Sequence, residues 1–332
     1  MKMSPAVLVF GSLAIVWAAF FAVVLIPTET ITMAPSDIWR APTSRELKGR
    51  QLYIANGCTY CHSQYVRPQD WGVGAQRIAR PGDYRGQEPH LLGSERTGPD
   101  LSEEGGEHPN DWHLAHFRNP RSTRPVSLMP RFAFLGKDDL ALLTDYVQSL
   151  GGKAADYRVS RQDYYKAQAI QAYQSGPAGN AAWLHSMVPD TWLLMPNPYP
   201  PDTGSVARGL NIYEYYCVGC HGAVGDGQGF AAPDLQPPPF DFTTLRPNLP
   251  GGKYLGGLIY YQVMNGITGT AMPYFKKDLE SAKIWDVANF IAVNFVGYTD
   301  YQVPPFGIGA SYITPPDLTR PFVPPAGEVG EP

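Results

Sequence analysis

The sequence predicts a mainly α chain, with one N-terminal transmembrane helix followed by two small helical domains of a single kind. Three observations carry this. Residues Ala6 to Ile26 contain no charged side chain. The pattern C-x-x-C-H occurs twice, at Cys58-Thr59-Tyr60-Cys61-His62 and at Cys217-Val218-Gly219-Cys220-His221. Around each copy the same order recurs: a leading helix, the motif, a loop with Pro-Asp-Leu, a Met-Pro step and a closing helix. A length of 332 residues accommodates two such domains with an anchor and a connector.

The apolar stretch comes first. Its 21 residues at helical rise reach about 31 Å, enough for the hydrocarbon core of a bilayer. Lys2 and the amino terminus precede it and Glu29 follows, so the positive-inside rule places the N-terminus in the cytoplasm and the remainder outside the cytoplasmic membrane. The apolar run is long for a cleaved signal peptide and lacks a small-x-small site near Pro27, so a retained anchor over 1–30 is expected.

C-x-x-C-H is the attachment pattern of a c-type haem. Two thiols add across the vinyl groups, and the adjacent His is held against the iron. The two motifs consume all four cysteines, leaving none for a disulfide or zinc site, so two covalently bound haem c groups are expected. A helix from Arg45 to Asn56, with Ser44 as cap, leads into the first motif, and one from Ala207 to Tyr216 into the second. Gly49 and Tyr53 recur as Gly209 and Tyr213, the small residue allowing a closing helix to cross closely. Those closing helices are expected over Lys137–Leu150 and Ser281–Val296, where apolar residues fall three or four apart. This order is that of class I cytochrome c domains. The expected division is an anchor over 1–30, a first domain over 40–152, a connector over 153–204, a second domain over 205–298 and a Pro-rich tail over 299–332. The stretch from Gln64 to Arg121 reads mostly as loop, and Met195 to Pro201 as an extended, proline-stiffened link.

An electron carrier needs two strong axial ligands so that no iron position opens to substrate, and a thioether opposite imidazole raises the potential. In the first half Ser127-Leu128-Met129-Pro130 supplies Met129 beside His62. In the second, Thr270-Ala271-Met272-Pro273 supplies Met272 beside His221, while Met264 lies in a helical run and reads as packing. A proximal His normally gives its other ring N–H to a carbonyl, for which Pro99 and Pro233 are expected. The remaining histidines (His90, His108, His113, His116, His185) read as solvated or hydrogen-bonded side chains. The glycines at 225, 227 and 229 follow a haem motif rather than a strand, which weakens any nucleotide-loop reading.

Charged residues make up 17% of the chain, the formal net charge is −4, and no basic run occurs, which argues against general nucleic-acid affinity. With 34 Gly and 33 Pro the chain suits loops wrapped round a cofactor that supplies much of the core.

The first half resembles something narrower. Leu47 to Ile54, Gly57 to Gln64, Val66-Arg67-Pro68, Gly93 to Leu101, Asp111-Trp112-His113, Asn119-Pro120-Arg121 and Ser127 to Arg131 are similar to the membrane-anchored mono-haem subunit of cbb3-type haem–copper oxidases, the FixO/CcoO family. The resemblance runs to about Leu150. It implies that Cys58 and Cys61 bind haem, that His62 and Met129 ligate iron, that Arg67 and Arg96 contact propionates and that Ser94 meets a catalytic subunit. The altered stretch Ala79 to Arg85 and the second haem domain depart from the family pattern. The expectation is therefore a dihaem electron-transfer subunit, not catalytic alone. Its partners are a polytopic haem–copper catalytic subunit in the membrane and a soluble or membrane donor, a cytochrome or cupredoxin. The alternatives are a nitric oxide reductase subunit of the same superfamily, a membrane-tethered shuttle, and a dihaem peroxidase needing an open iron position.

Overall fold

The computed structural model describes residues 4–30, 33–64, 79–91, 97–199, 201–248 and 256–297. The propionate candidates Arg67 and Arg96, Ser94 and the tail over 299–332 lie outside these residues. Among those described, helices dominate, and the only β pairing is an isolated bridge between Gly105 and His108.

Helix α1 (Pro5–Thr30) is apolar and wholly solvent-facing in the isolated chain, with Ser4 capping its start through the Val7 N–H. It makes no core of its own, as a membrane span should not. Helix α2 (Ser44–Ala55) begins one residue earlier than expected. Its cap is Thr43, not Ser44, because Glu46 closes a capping box with Thr43. The Arg40 guanidinium then bonds both Glu46 (2.7 Å) and Asp156 (2.6 Å), tying this start to a later helix.

Within the expected loop lies helix α3 (Asn110–Arg118), short and rich in aromatic residues. Pro109 occupies its N-cap, and only Leu114, Ala115 and Phe117 offer an aliphatic or Phe face, so its periodicity is weak. The first half closes with α4 (Lys137–Ser149). Leu140, Leu143, Tyr146 and Val147 of α4 pack on Tyr53 of α2, and the two helices cross at Gly49. A Cβ at Gly49 would run into the Leu142 carbonyl and lie 2.8 Å from Tyr146 Cβ.

The segment read as a connector, in which Arg161 to Gln174 reads as helical, is helical over most of its length. Helix α5 (Gly152–Gln174) follows α4 at once, the turn made by Gly151 at φ 107°, where an L side chain would be strained. Helix α6 (Gly176–Ser186) turns back beside it. Ala181, Val188 and Leu193 enter the core of the second half. The Asn197 amide, buried, donates to Asn289, so the proline-rich link is pinned.

The second half repeats the first. Helix α7 (Thr203–Tyr216), capped by Asp202, crosses the closing helix α9 (Ser281–Asn294) at Gly209, where a Cβ would meet the Asp286 carbonyl and lie 2.6 Å from Phe290 Cβ. Helix α8 (Gly257–Asn265) packs Leu258, Ile259 and Val263 into the same core as Ile284, Val287 and Ile291. Buried Asp286 is held by Arg208 at 2.7 and 2.9 Å and by Ser205 at 2.7 Å, so its charge is paired where burial would otherwise penalise it.

The halves are locked together by polar contacts. Arg118 pairs with Asp234 (2.7 Å), and Asp111 takes both Lys166 of α5 (2.9 Å) and the Gln236 N–H (2.8 Å). Gln162 of α5 accepts from Gly269 N–H in one half and donates to the Gly106 carbonyl in the other. Gly219 sits on the Ser122 carbonyl, closer than any Cβ could.

Candidate haem sites

Each motif is a single helical turn entered from its leading helix. At the first, Gly57 at φ 72° turns the chain and Cys58–Cys61 forms the turn. At the second, Val218–His221 does so directly after Cys217. The tyrosines four residues beyond the crossing glycines anchor both turns. Tyr53 Oη donates to the His62 carbonyl and Tyr213 Oη to the Gly222 carbonyl, each at 2.6 Å. Burial raises the pKa of both phenols, so they stay protonated as donors.

His62 Nδ1 lies 2.9 Å from the Pro99 carbonyl. A carbonyl only accepts, so Nδ1 carries the proton and Nε2 keeps its lone pair. His221 has the same arrangement with a different partner, the Phe240 carbonyl at 3.2 Å rather than that of Pro233. Ala232–Asp234 is a 3-10 turn turned toward the first half, with Asp234 on Arg118 and Ala231 and Leu235 packed against Ala115. That leaves the Pro237–Phe240 stretch to reach His221. Burial lowers the His221 pKa to about 4, keeping the imidazole neutral as a metal ligand requires, and Phe242 stacks on it at 4.5 Å.

The two Met-Pro loops share a brace. Met129 N–H donates to Ser127 Oγ (3.2 Å) and Met272 N–H to Thr270 Oγ1 (3.1 Å). Both methionines line the cavity that holds the motifs, whereas Met264 packs against the second core. Met272→Ala is therefore expected to abolish the sulfur-to-iron charge-transfer band of one ferric haem, and Met264→Ala to leave both bands in place. Near-infrared absorption of the oxidised protein checks this.

Cys58, Cys61 and Cys220, His62 and His221, Met129 and Met272 line one connected cavity of about 900 Å³, together with Cys217. That is at the upper end of ordinary ligand cavities, about 300–1,000 Å³. All four thiols are free. Burial pushes Cys58 up to about 11 and Cys217 and Cys220 up to about 12, the reverse of the lowered thiol pKa that a redox dithiol needs.

The donor set fits haem c: thiols for vinyl attachment, a neutral imidazole with its free nitrogen selected, and a thioether. His113 and Trp183 line the cavity, and their buried ring nitrogens, His113 Nε2 and Trp183 Nε1, have no hydrogen-bond partner among the described residues. Sequence reasoning missed the wall of α3. It stacks Trp112 on both His108 (3.7 Å) and His116 (4.6 Å), and Trp112 and Cys220 each pack against the small cluster of Ala115, Ala231, Leu235 and Ala271 at the junction. Burial lowers His113 to about 4 and His116 to about 3, so both are neutral at pH 7. Only the i, i+4 spacing of 108, 112 and 116 signalled the stack.

Comparison with known proteins agrees with this geometry. Residues 1–181 match the family described as cytochrome c oxidase, mono-haem subunit/FixO, and residues 204–291 match cytochrome c oxidase, cbb3-type, subunit III. A search of curated proteins gives no match. Among solved structures, a chain of the Kuenenia stuttgartiensis reducing HAO-like protein complex is 18% identical, with 78% of this chain and 98% of that one covered. Its TM-score of 0.27 carries no argument. With more than half its length matched, and one helix fit to cross a membrane, the chain belongs to the FixO family: it is a single-pass, membrane-anchored c-type cytochrome, the electron-transfer subunit of a cbb3-type oxidase-like complex, with a second cytochrome c domain joined to it.

Proposed function

We propose that each half holds one haem c, two per chain, attached through Cys58 and Cys61 and through Cys217 and Cys220. The axial ligands are His62 with Met129 and His221 with Met272. The observation that supports this most is the doubling of one geometry. In each half, thiols, an imidazole with Nδ1 on a carbonyl, and a hydroxyl-braced Met-Pro loop line the same cavity. Bound there, each haem supplies one-electron ferric–ferrous chemistry. The chain's residues fix the imidazole tautomer and would supply one imidazole and one thioether to each iron. The family resemblance implies Arg67 and Arg96 as the residues that would hold the propionates of the first half.

Electrons from a cytochrome or cupredoxin donor enter at the C-terminal half. They pass to the Cys58, His62 and Met129 site, and from there to the haem–copper catalytic subunit with which the family associates. The continuous cavity and the clamp through Gln162 and Asp111 favour a short, fixed separation between the halves. The N-terminus is cytoplasmic and the haem domains are periplasmic. Gentle solubilisation of native membranes, isolation of this chain and mass spectrometry of its companions test the assignment. A large polytopic subunit bearing b-type haem is expected to copurify, and oxygen against nitric oxide turnover then names the acceptor. A chain that runs alone with only haem c would make it a tethered shuttle.

A further inference from the structure

The loop that carries Met272 is held from two sides. Its ends are fixed by its own half: Ile267 N–H donates to the Met272 carbonyl (3.1 Å) and Phe275 N–H to the Val263 carbonyl of α8 (3.0 Å). Its tip leans on α5 and α3 instead. Gly269 N–H donates to Gln162 Oε1 of α5 at 2.5 Å. Gly269, at φ 88°, lies so near the α5 backbone that a Cβ there would fall 2.6 Å from the Lys166 nitrogen. Ala271, the residue before Met272, is buried in the small cluster that contains Ala115 of α3.

Gln162 is itself anchored. Its Nε2 donates to the Gly106 carbonyl (3.4 Å), and Lys166, one turn further along α5, pairs with Asp111 at 2.9 Å. From Gln162 the path to the ligand is short. Gly269 precedes Thr270, whose Oγ1 accepts from the Met272 N–H (3.1 Å) while its hydroxyl donates to the Ile267 carbonyl (2.8 Å). A shift of the tip therefore moves Thr270, and with it the brace on Met272. Met129 is braced from its own half, by Ser127 Oγ on its N–H and by Arg121 on its carbonyl (3.4 Å). Gln162 and Gly269 lie in regions that match two different families, so their contact belongs to neither family alone.

We propose that Gln162 is a positioning residue for the axial thioether of the second haem. It holds the Met272 loop from outside that domain, so firm Met272 ligation depends on the docking of the two halves. The inference rests on the two-haem reading above, with Met272 as the ligand. Outer-shell partners of this kind orient a ligand and tune its bond to the metal. A thioether opposite imidazole raises the potential, so loosening it lowers the midpoint potential of this haem.

The test uses the full-length, haem-loaded chain with two substitutions: Gln162→Leu keeps the bulk and removes the acceptor, and Gln162→Glu keeps an acceptor oxygen. Met272→Ala is measured first: two intact sulfur-to-iron bands there would sink the ligand reading itself, separately from this proposal. With one band lost there, Gln162→Leu is expected to weaken the same band and to lower the midpoint potential of one haem. It is also expected to speed carbon monoxide binding to the reduced protein by about tenfold, the lower end of an outer-shell effect at a metal site. Gln162→Glu is expected to stay near the wild type in all three. A glutamine that only clamps the halves would lower thermal stability in Gln162→Leu and leave band, potential and carbon monoxide rate in place. That result overturns the proposal, as do equal effects in the two variants. If Gln162→Leu retains no haem, Gln162→Ala gives the same three readouts and decides.

Discussion

The double substitution Cys217→Ser/Cys220→Ser is expected to leave half the c-type haem of the wild-type chain, and Cys58→Ser/Cys61→Ser to leave the complementary half. Pyridine haemochrome absorbance per polypeptide measures both. The expectation follows from where the thiols sit: two pairs, each on or beside one helical turn, each next to its own His, lining one cavity. A hydroxyl cannot form the thioether, and its burial against apolar neighbours adds the cost of an unpaired polar group, about 1–3 kcal/mol. Wild-type haem content in either variant would mean that the altered motif holds no haem. Complete loss in one variant would mean that the halves do not mature independently.

Gly98→Ala is expected to convert one low-spin haem to high spin, with little change in the other. An added Cβ would fall on the His62 ring, 2.6 Å from Nδ1 and 2.7 Å from Nε2. The backbone cannot retreat, because Gly98 N–H donates to the Cys61 carbonyl at 3.0 Å and the next residue, Pro99, holds His62 Nδ1. The imidazole must therefore leave its place, losing the carbonyl bond and the direction of Nε2 together. Overpacking of this kind costs about 1–3 kcal/mol in stability, but the larger effect is on the ligand. Gly136→Ala, where a Cβ meets nothing within 4 Å, is the control. An unaltered absorption spectrum for Gly98→Ala would show that the His62 ring does not sit where this geometry puts it.

Much of the architecture could be read from the residues because it rests on local rules. The two motifs, the crossing glycines and the Tyr that follows each are short patterns with one physical solution, and Gly49 with Tyr146 corresponds to Gly209 with Phe290. The apolar anchor is a matter of length and charge. What could not be read depends on contacts distant in sequence. The Pro-Asp-Leu echo at 233–235 suggested a carbonyl for His221, but in the folded chain that turn faces Arg118, and Phe240 takes the role. Helix α3 has too few aliphatic positions for a periodic signal, and its Trp112 and Ala115 find their packing with Ala231, Leu235 and Ala271 of the other half. The connector looked like a spacer because the partners of its apolar residues are distant in sequence: Ala181, Val188 and Leu193 pack into the core of the second half. Ala169, 0% exposed, and Ala181, 1%, are buried.

The placement of α6 bears on how the second half could be moved between proteins. A fragment cut to begin at the start of α7 would leave behind Ala181, Val188 and Leu193, and with them one side of its own interior. Grafted to another anchor, it would carry an open flank where Leu258 and Ile259 lose their neighbours. The smallest portable unit begins at Gly176, and the stretch from there to Met195 travels with its cytochrome rather than with the linker.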